Sequence, residues 1–191
     1  MKTKIRVEFT FVAIIALFTV FDTTGFAILG LCAGVVHELG HLAAMWLSGV
    51  KVKSIFFRGG GIQIEPEEKG KITLFILSAG SIANFLTFAV IFTALERPFS
   101  YLYPLLFSLM NVCVGMFNLL PIGCMDGKQI LERLLPPRMH YALRILEIAL
   151  ILVLSGAVIV ALYHGFFNFT VIAAMVYVIL VDLHKKLCYN I

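Results

Sequence analysis

Apolar residues fill this chain in long blocks separated by short polar or basic breaks, and the blocks read as membrane helices. The first runs from Val7 to about Phe21, interrupted early by Glu8. The second covers about Gly25 to Leu47, the third about Ile72 to Leu95, and the fourth about Ser100 to Leu120. Two more, about Met139 to Tyr163 and Phe166 to Leu183, form a hairpin around His164-Gly165. Between the second and third blocks the pattern changes. Lys51 to Phe57 and Ile62 to Glu65 are short β-prone runs around Arg58-Gly59-Gly60-Gly61, which predicts a β-hairpin. Lipid cannot satisfy an open strand edge, so the hairpin belongs at the interface or against protein. The expected fold is an all-α polytopic membrane protein of about six transmembrane helices, with a short interfacial β-hairpin between the second and third. A single integral-membrane domain over residues 1–191 is expected, with its core over about 25–130 and an accessory helical hairpin over about 139–184.

Composition agrees with that reading. Of 191 residues, 61% are hydrophobic and 14% charged, with a mean hydropathy of +1.00, which excludes an ordinary soluble domain. Cys32, Cys113, Cys124 and Cys188 are scattered singly, so neither a disulfide framework nor a thiolate zinc site is indicated. The basic start and apolar run resemble a signal peptide, but Asp22-Thr23-Thr24 lacks a small-x-small cleavage site, and an uncleaved first span is expected. The net charge of +4 could suggest nucleic acid, yet its distribution explains it otherwise. With six spans and a cytoplasmic amino end, every lysine and arginine except Arg97 falls on the cytoplasmic side. The expected location is a bacterial cell membrane, with both termini cytoplasmic and no nucleic-acid partner.

The candidate chemistry lies in the second block, at His37-Glu38-Leu39-Gly40-His41. On a helix the two histidines stand about 40° apart around the axis and roughly 6 Å apart along it, so both imidazoles can meet one ion. Glu38 points to a neighbouring angle, poorly placed as a third ligand but within reach of a water at the ion. Two nitrogen ligands, an open position for water and a carboxylate base make a zinc-hydrolase arrangement that lacks one protein ligand. Asp126 is the best candidate for it, because Pro121, Gly123 and Gly127 break the fourth helix and turn the chain back. A plain turn or helix-capping aspartate is the alternative. The alternative for the histidines and glutamate is hydrogen bonding between helices. In the third block, Ser78 to Asn84 is a compact small-residue patch suited to close packing on the histidine helix. Its amide, Asn84, reads either as an interhelical hydrogen bonder or as a group supporting the site. Gly30 and Gly34, four apart, make a small face whose simpler reading is packing.

These motifs together resemble the site-2 protease family of intramembrane zinc metalloproteases. The resemblance rests on His37-Glu38-Leu39-Gly40-His41, on Asn118-Leu119-Leu120-Pro121 with Met125-Asp126-Gly127, and on the patch from Ser78 to Asn84. It covers roughly Gly25 to Ile130, and the layout is similar to the compact bacterial branch that includes sporulation-factor processing proteases. It implies one Zn2+ per chain held by His37, His41 and Asp126, with Glu38 as catalytic base. It also implies that Asn118 holds the substrate backbone or polarises its carbonyl. The implied reaction is hydrolysis of a peptide bond in or near a transmembrane segment, as in regulated intramembrane proteolysis. The implied partners are a membrane-protein substrate and the lipid bilayer, with a second copy or a regulatory membrane protein compatible. Three departures stand out: Met125 where leucine is usual, a mild change, Lys128 where a glycine often follows, and Ser81 where the patch usually has proline. The competing class is non-enzymatic, a zinc-containing membrane scaffold or a metal-ion transporter. A transporter calls for ligands on both sides of the midplane, and no such ladder is visible. Cys124, two residues before Asp126, is a less suitable ligand than carboxylate or imidazole for a hydrolytic zinc.

Overall fold

A computed structural model describes residues 3–22, 25–58, 61–94, 102–123 and 125–165. The expected sixth span lies outside these residues, as do Arg97 and Cys124. The chain forms two units, Met1–Leu119 and Leu120–Ile191.

The first unit carries a strand β1 (Lys4–Val7), helices α1 (Phe9–Phe21) and α2 (Phe26–Leu47), strands β2 (Val52–Arg58) and β3 (Gly61–Pro66), then helices α3 (Leu74–Ala94) and α4 (Leu102–Asn118). The β-hairpin forms as predicted. Ile55 pairs with Ile64 and Phe57 with Ile62 in antiparallel register, with an irregularity between Val52 and Ser54. What the apolar pattern does not reveal is a third strand. β1 joins β2 in parallel, Lys4 opposite Ser54 and Val7 opposite Phe57, giving the order β1-β2-β3. Parallel neighbours need a long crossover, which the α1–α2 pair supplies. α1 therefore starts after the strand. Its 13 residues span about 20 Å, less than a bilayer core. Glu8, the acidic break in the first apolar block, is held at the sheet by Arg58 Nε at 2.8 Å.

α3 packs against both α2 and α4. The closest approach of α2 and α3 is at Gly40, where a Cβ would lie 2.5 Å from the Ala79 carbonyl oxygen and 2.7 Å from Ala83 Cβ. Gly30 and Gly34 make no such approach: Met110 Sδ is 3.8 Å from a Cβ at the first, and among the described residues nothing lies within 4 Å at the second. Between α3 and α4, the Ser81 hydroxyl donates to the Gly115 carbonyl at 3.0 Å, so this serine ties two helices together. Ala44, Met45, Val50, Ile76 and Ala79 form an apolar cluster, joined by Val52, Ile64 and Ile72. It seats the sheet on the C-terminal end of α2 and the start of α3.

Polarity in these helices is turned inward. Asn84, Ser108 and Asn111 are fully buried, while Leu39, Trp46, Leu86 and Val90 are exposed. Water would reverse that preference, whereas lipid favours it. The protein is a membrane protein, with three segments long and apolar enough to cross a bilayer: Phe26–Leu47, Leu74–Ala94 and Pro137–Tyr163. α4 is apolar but has only 17 residues. The described residues thus hold three spans by length and composition, short of the six expected.

In the second unit, a short turn leads into α5 (Asp126–Leu134), and a 3-10 turn at Pro137–Met139 leads into α6 (His140–Tyr163). Part of the stretch between the fourth and fifth apolar blocks is thus helical. Asp126 in its first turn and Arg133 in its last suit the helix dipole. The helix stops before Pro136, which holds Leu135 in extended backbone (φ −91, ψ 141).

Candidate metal centre

His37 and His41 sit on one side of α2, one turn apart, facing α3. His41 Nδ1 lies 2.7 Å from the Ile76 carbonyl oxygen, and since a carbonyl only accepts, the ring donates there. The His37 assignment follows from a chain of amides. Asn84 Nδ2 donates to the Ala33 carbonyl at 3.0 Å and to Asn111 Oδ1 at 2.9 Å, which spends both of its hydrogens. Its Oδ1 is therefore the atom 2.9 Å from His37 Nδ1, and His37 Nδ1–H is the donor. Asn111 in turn donates to Phe107 O at 2.9 Å, which fixes its orientation. The network joins α2, α3 and α4, and among the described residues no buried side-chain nitrogen or oxygen lacks a partner.

Both rings are thus locked with Nδ1 protonated, and each presents the lone pair of Nε2. The two Nε2 atoms are 3.1 Å apart. Two neutral imidazoles cannot sit this way without repulsion, so the pair calls for a positive centre, a proton or a metal ion. Two nitrogens at 2.0–2.1 Å from a tetrahedral zinc are about 3.3 Å apart, close to the separation here. Outer hydrogen bonds that hold Nδ1 while Nε2 faces the ion are the usual support of a histidine metal ligand. The space over the pair is kept open by Gly80. A Cβ there would stand 2.6 Å from His37 Cε1, His37 Nε2 and His41 Nε2. The residues fit a metal ion.

Glu38 follows His37 on α2 and is half-buried. Asn118 is the last residue of α4, and its Nδ2 donates to Val114 O of its own helix at 3.0 Å. Asp126 belongs to the second unit, where it opens α5 and is half-buried. α4 ends at Asn118, ahead of Pro121, as the sequence predicts. Asn84 combines both readings offered for it, bonding between helices and supporting His37.

Sequence reasoning passed over three groups. Asn111 had a usable signal, a lone amide in an apolar helix. Gly80 was legible only as part of a small-residue patch. The Ile76 carbonyl carries no signal at all, since every residue has one.

Fold and site together define a class: a membrane-helical protein with a histidine pair built to hold a cation. No family model matches the chain. A curated zinc metalloprotease of Methanocaldococcus jannaschii is 32% identical over 148 residues, which are 74% of this chain and 43% of that protein. The chain thus spans less than half the length of that relative. A solved structure, the site-2 protease from Methanocaldococcus jannaschii, shares the fold with a TM-score of 0.64 at 24% identity, across 97% of this chain and 93% of that one. The chain thus resembles the site-2 protease family in fold and a zinc metalloprotease in sequence.

Proposed function

We propose that this protein is an intramembrane zinc metalloprotease that hydrolyses a peptide bond in or near a transmembrane segment of another membrane protein. The observation that carries the reading is the convergence of two Nε2 lone pairs at 3.1 Å, with a carboxylate on the adjacent residue. His37, His41 and Asp126 hold one zinc per chain. Asp126 is supported by the family's motif order and by the break that ends α4 before Pro121. When bound, zinc supplies Lewis acidity, polarising the scissile carbonyl and acidifying a water.

The remaining steps belong to the chain. Glu38 takes the proton of the attacking water and returns it to the leaving amine nitrogen. Asn84 and the Ile76 carbonyl hold the two imidazoles in the tautomer that keeps Nε2 available. A helical substrate satisfies its own backbone and must unwind before it can be cut. The outer edge of β3 supports the unwound stretch by strand addition, on a sheet seated at the end of α2 that follows His41. Asn118 contacts the substrate backbone at the end of α4. The site opens to the cytoplasmic side, where the basic segments and both termini lie.

Co-expression with candidate single-span membrane proteins tests the reading. Wild type should deplete the full-length substrate, while Glu38→Gln should leave it intact with zinc content unchanged. Cleavage by Glu38→Gln would show that the base lies elsewhere. A wild-type protein that purifies without zinc and takes none up would remove the metalloprotease reading.

A further inference from the structure

α6 is apolar along most of its length, yet Glu147 within it is fully buried. A buried carboxylate without partners would cost several kcal/mol. Glu147 has three. Its Oε1 accepts from the Gly123 backbone N–H at 2.7 Å and from Lys128 Nζ at 2.7 Å, and its Oε2 accepts from Arg144 Nη1 at 2.6 Å. The positions of the first two partners matter. Gly123 is three residues before Asp126 and Lys128 two residues after it, so one oxygen ties down both flanks of the segment carrying Asp126. Gly123 itself turns the chain in left-handed backbone, φ +56, just ahead of α5.

We propose that Glu147 is a positioning residue for the metal centre: by binding Gly123 N–H and Lys128 with one oxygen, it fixes the entry to α5 and hence the bearing of the Asp126 carboxylate. The inference rests on the reading of Asp126 as a zinc ligand. It also gives a role to Lys128, the departure from the family's usual glycine, as the other half of the clamp. A carboxylate on α6 and a lysine in the first turn of α5 make sense together and not singly.

The test is zinc affinity of the detergent-purified full chain, measured by chelator competition, with the cobalt(II) absorption spectrum as a report on ligand geometry. The double variant Lys128→Met/Glu147→Met replaces the Lys128–Glu147 pair by apolar side chains of similar volume, a change that commonly preserves folding, and leaves Arg144, whose side chain is partly exposed. Its helicity and thermal unfolding should stay near wild type, while zinc affinity falls roughly 10- to 100-fold and the cobalt spectrum changes. Glu147→Gln keeps an oxygen for Gly123 N–H and should recover most of the affinity. Wild-type affinity and spectrum in the double variant overturn the proposal, and so does a loss that tracks unfolding in both variants. Asp126→Ala, measured alongside, separates the two readings. If it binds zinc like wild type, the ligand assignment has failed and the clamp has nothing to position.

Discussion

Two histidines four apart on a helix can approach one point in several rotamers, and most such pairs bind nothing. What distinguishes His37 and His41 is that neither ring has a choice of tautomer. A backbone carbonyl holds one Nδ1 and an amide oxygen of fixed orientation holds the other, so both lone pairs emerge at Nε2. Gly80 adds the space. Its replacement by alanine puts a methyl group onto three ring atoms, an overpacking strain of about 1–3 kcal/mol that is most readily relieved by turning an imidazole. Gly80→Ala should therefore weaken zinc binding by roughly ten- to hundredfold in chelator competition, with little change in helicity. Unchanged affinity would mean that the volume over the two rings is not where the ion sits.

At the scale of elements, the contact that matters is α2 against α3, because His37 and His41 stand on one and their partners Asn84 and Ile76 on the other. The pair GxxxG-like in sequence, Gly30 and Gly34, is not the one used. Gly40, inside the histidine motif, is where the backbones meet. A side chain at Gly40 would press on the Ala79 carbonyl, which is backbone and cannot step aside. Gly40→Ala should lower stability by about 1–3 kcal/mol in detergent unfolding. Gly34→Ala, which meets none of the described residues, should be neutral or slightly stabilising through helix propensity. If the two behave alike, the helices do not approach at Gly40. The sequence pointed to helix, motif, hairpin and the small-residue patch that meets α2, yet it did not single out Gly40, since small size says where helices can approach and not where they do.

At the scale of the molecule, β1 makes a claim about topology that the apolar pattern could not. Its pairing with β2 brings Lys4 and Arg6 beside Ser54 and Phe56, so the amino end and the hairpin share one side of the membrane. The proposed cytoplasmic placement of both basic segments independently asks for that. In a background lacking the four native cysteines, single cysteines at Thr3 and Glu67 should both resist a membrane-impermeant thiol reagent applied to intact cells. Both should react once the cells are opened. Labelling of either one from outside would contradict the shared side.

The sequence by itself determined the membrane class, the histidine motif and its place on a helix, the hairpin, and the break after α4. These are local or compositional properties: helical spacing aligns His37 with His41, proline ends a helix wherever it falls, and apolar length is read one residue at a time. Tertiary structure alone decided which nitrogen of each histidine is offered, which glycine receives a neighbouring helix, that Lys4–Val7 become a strand, and that Glu147 secures the segment around Asp126. Each of those depends on a partner 19 to 51 residues away, as with Lys128 and Glu147 or Ala33 and Asn84, and no pattern along the chain encodes who that partner is.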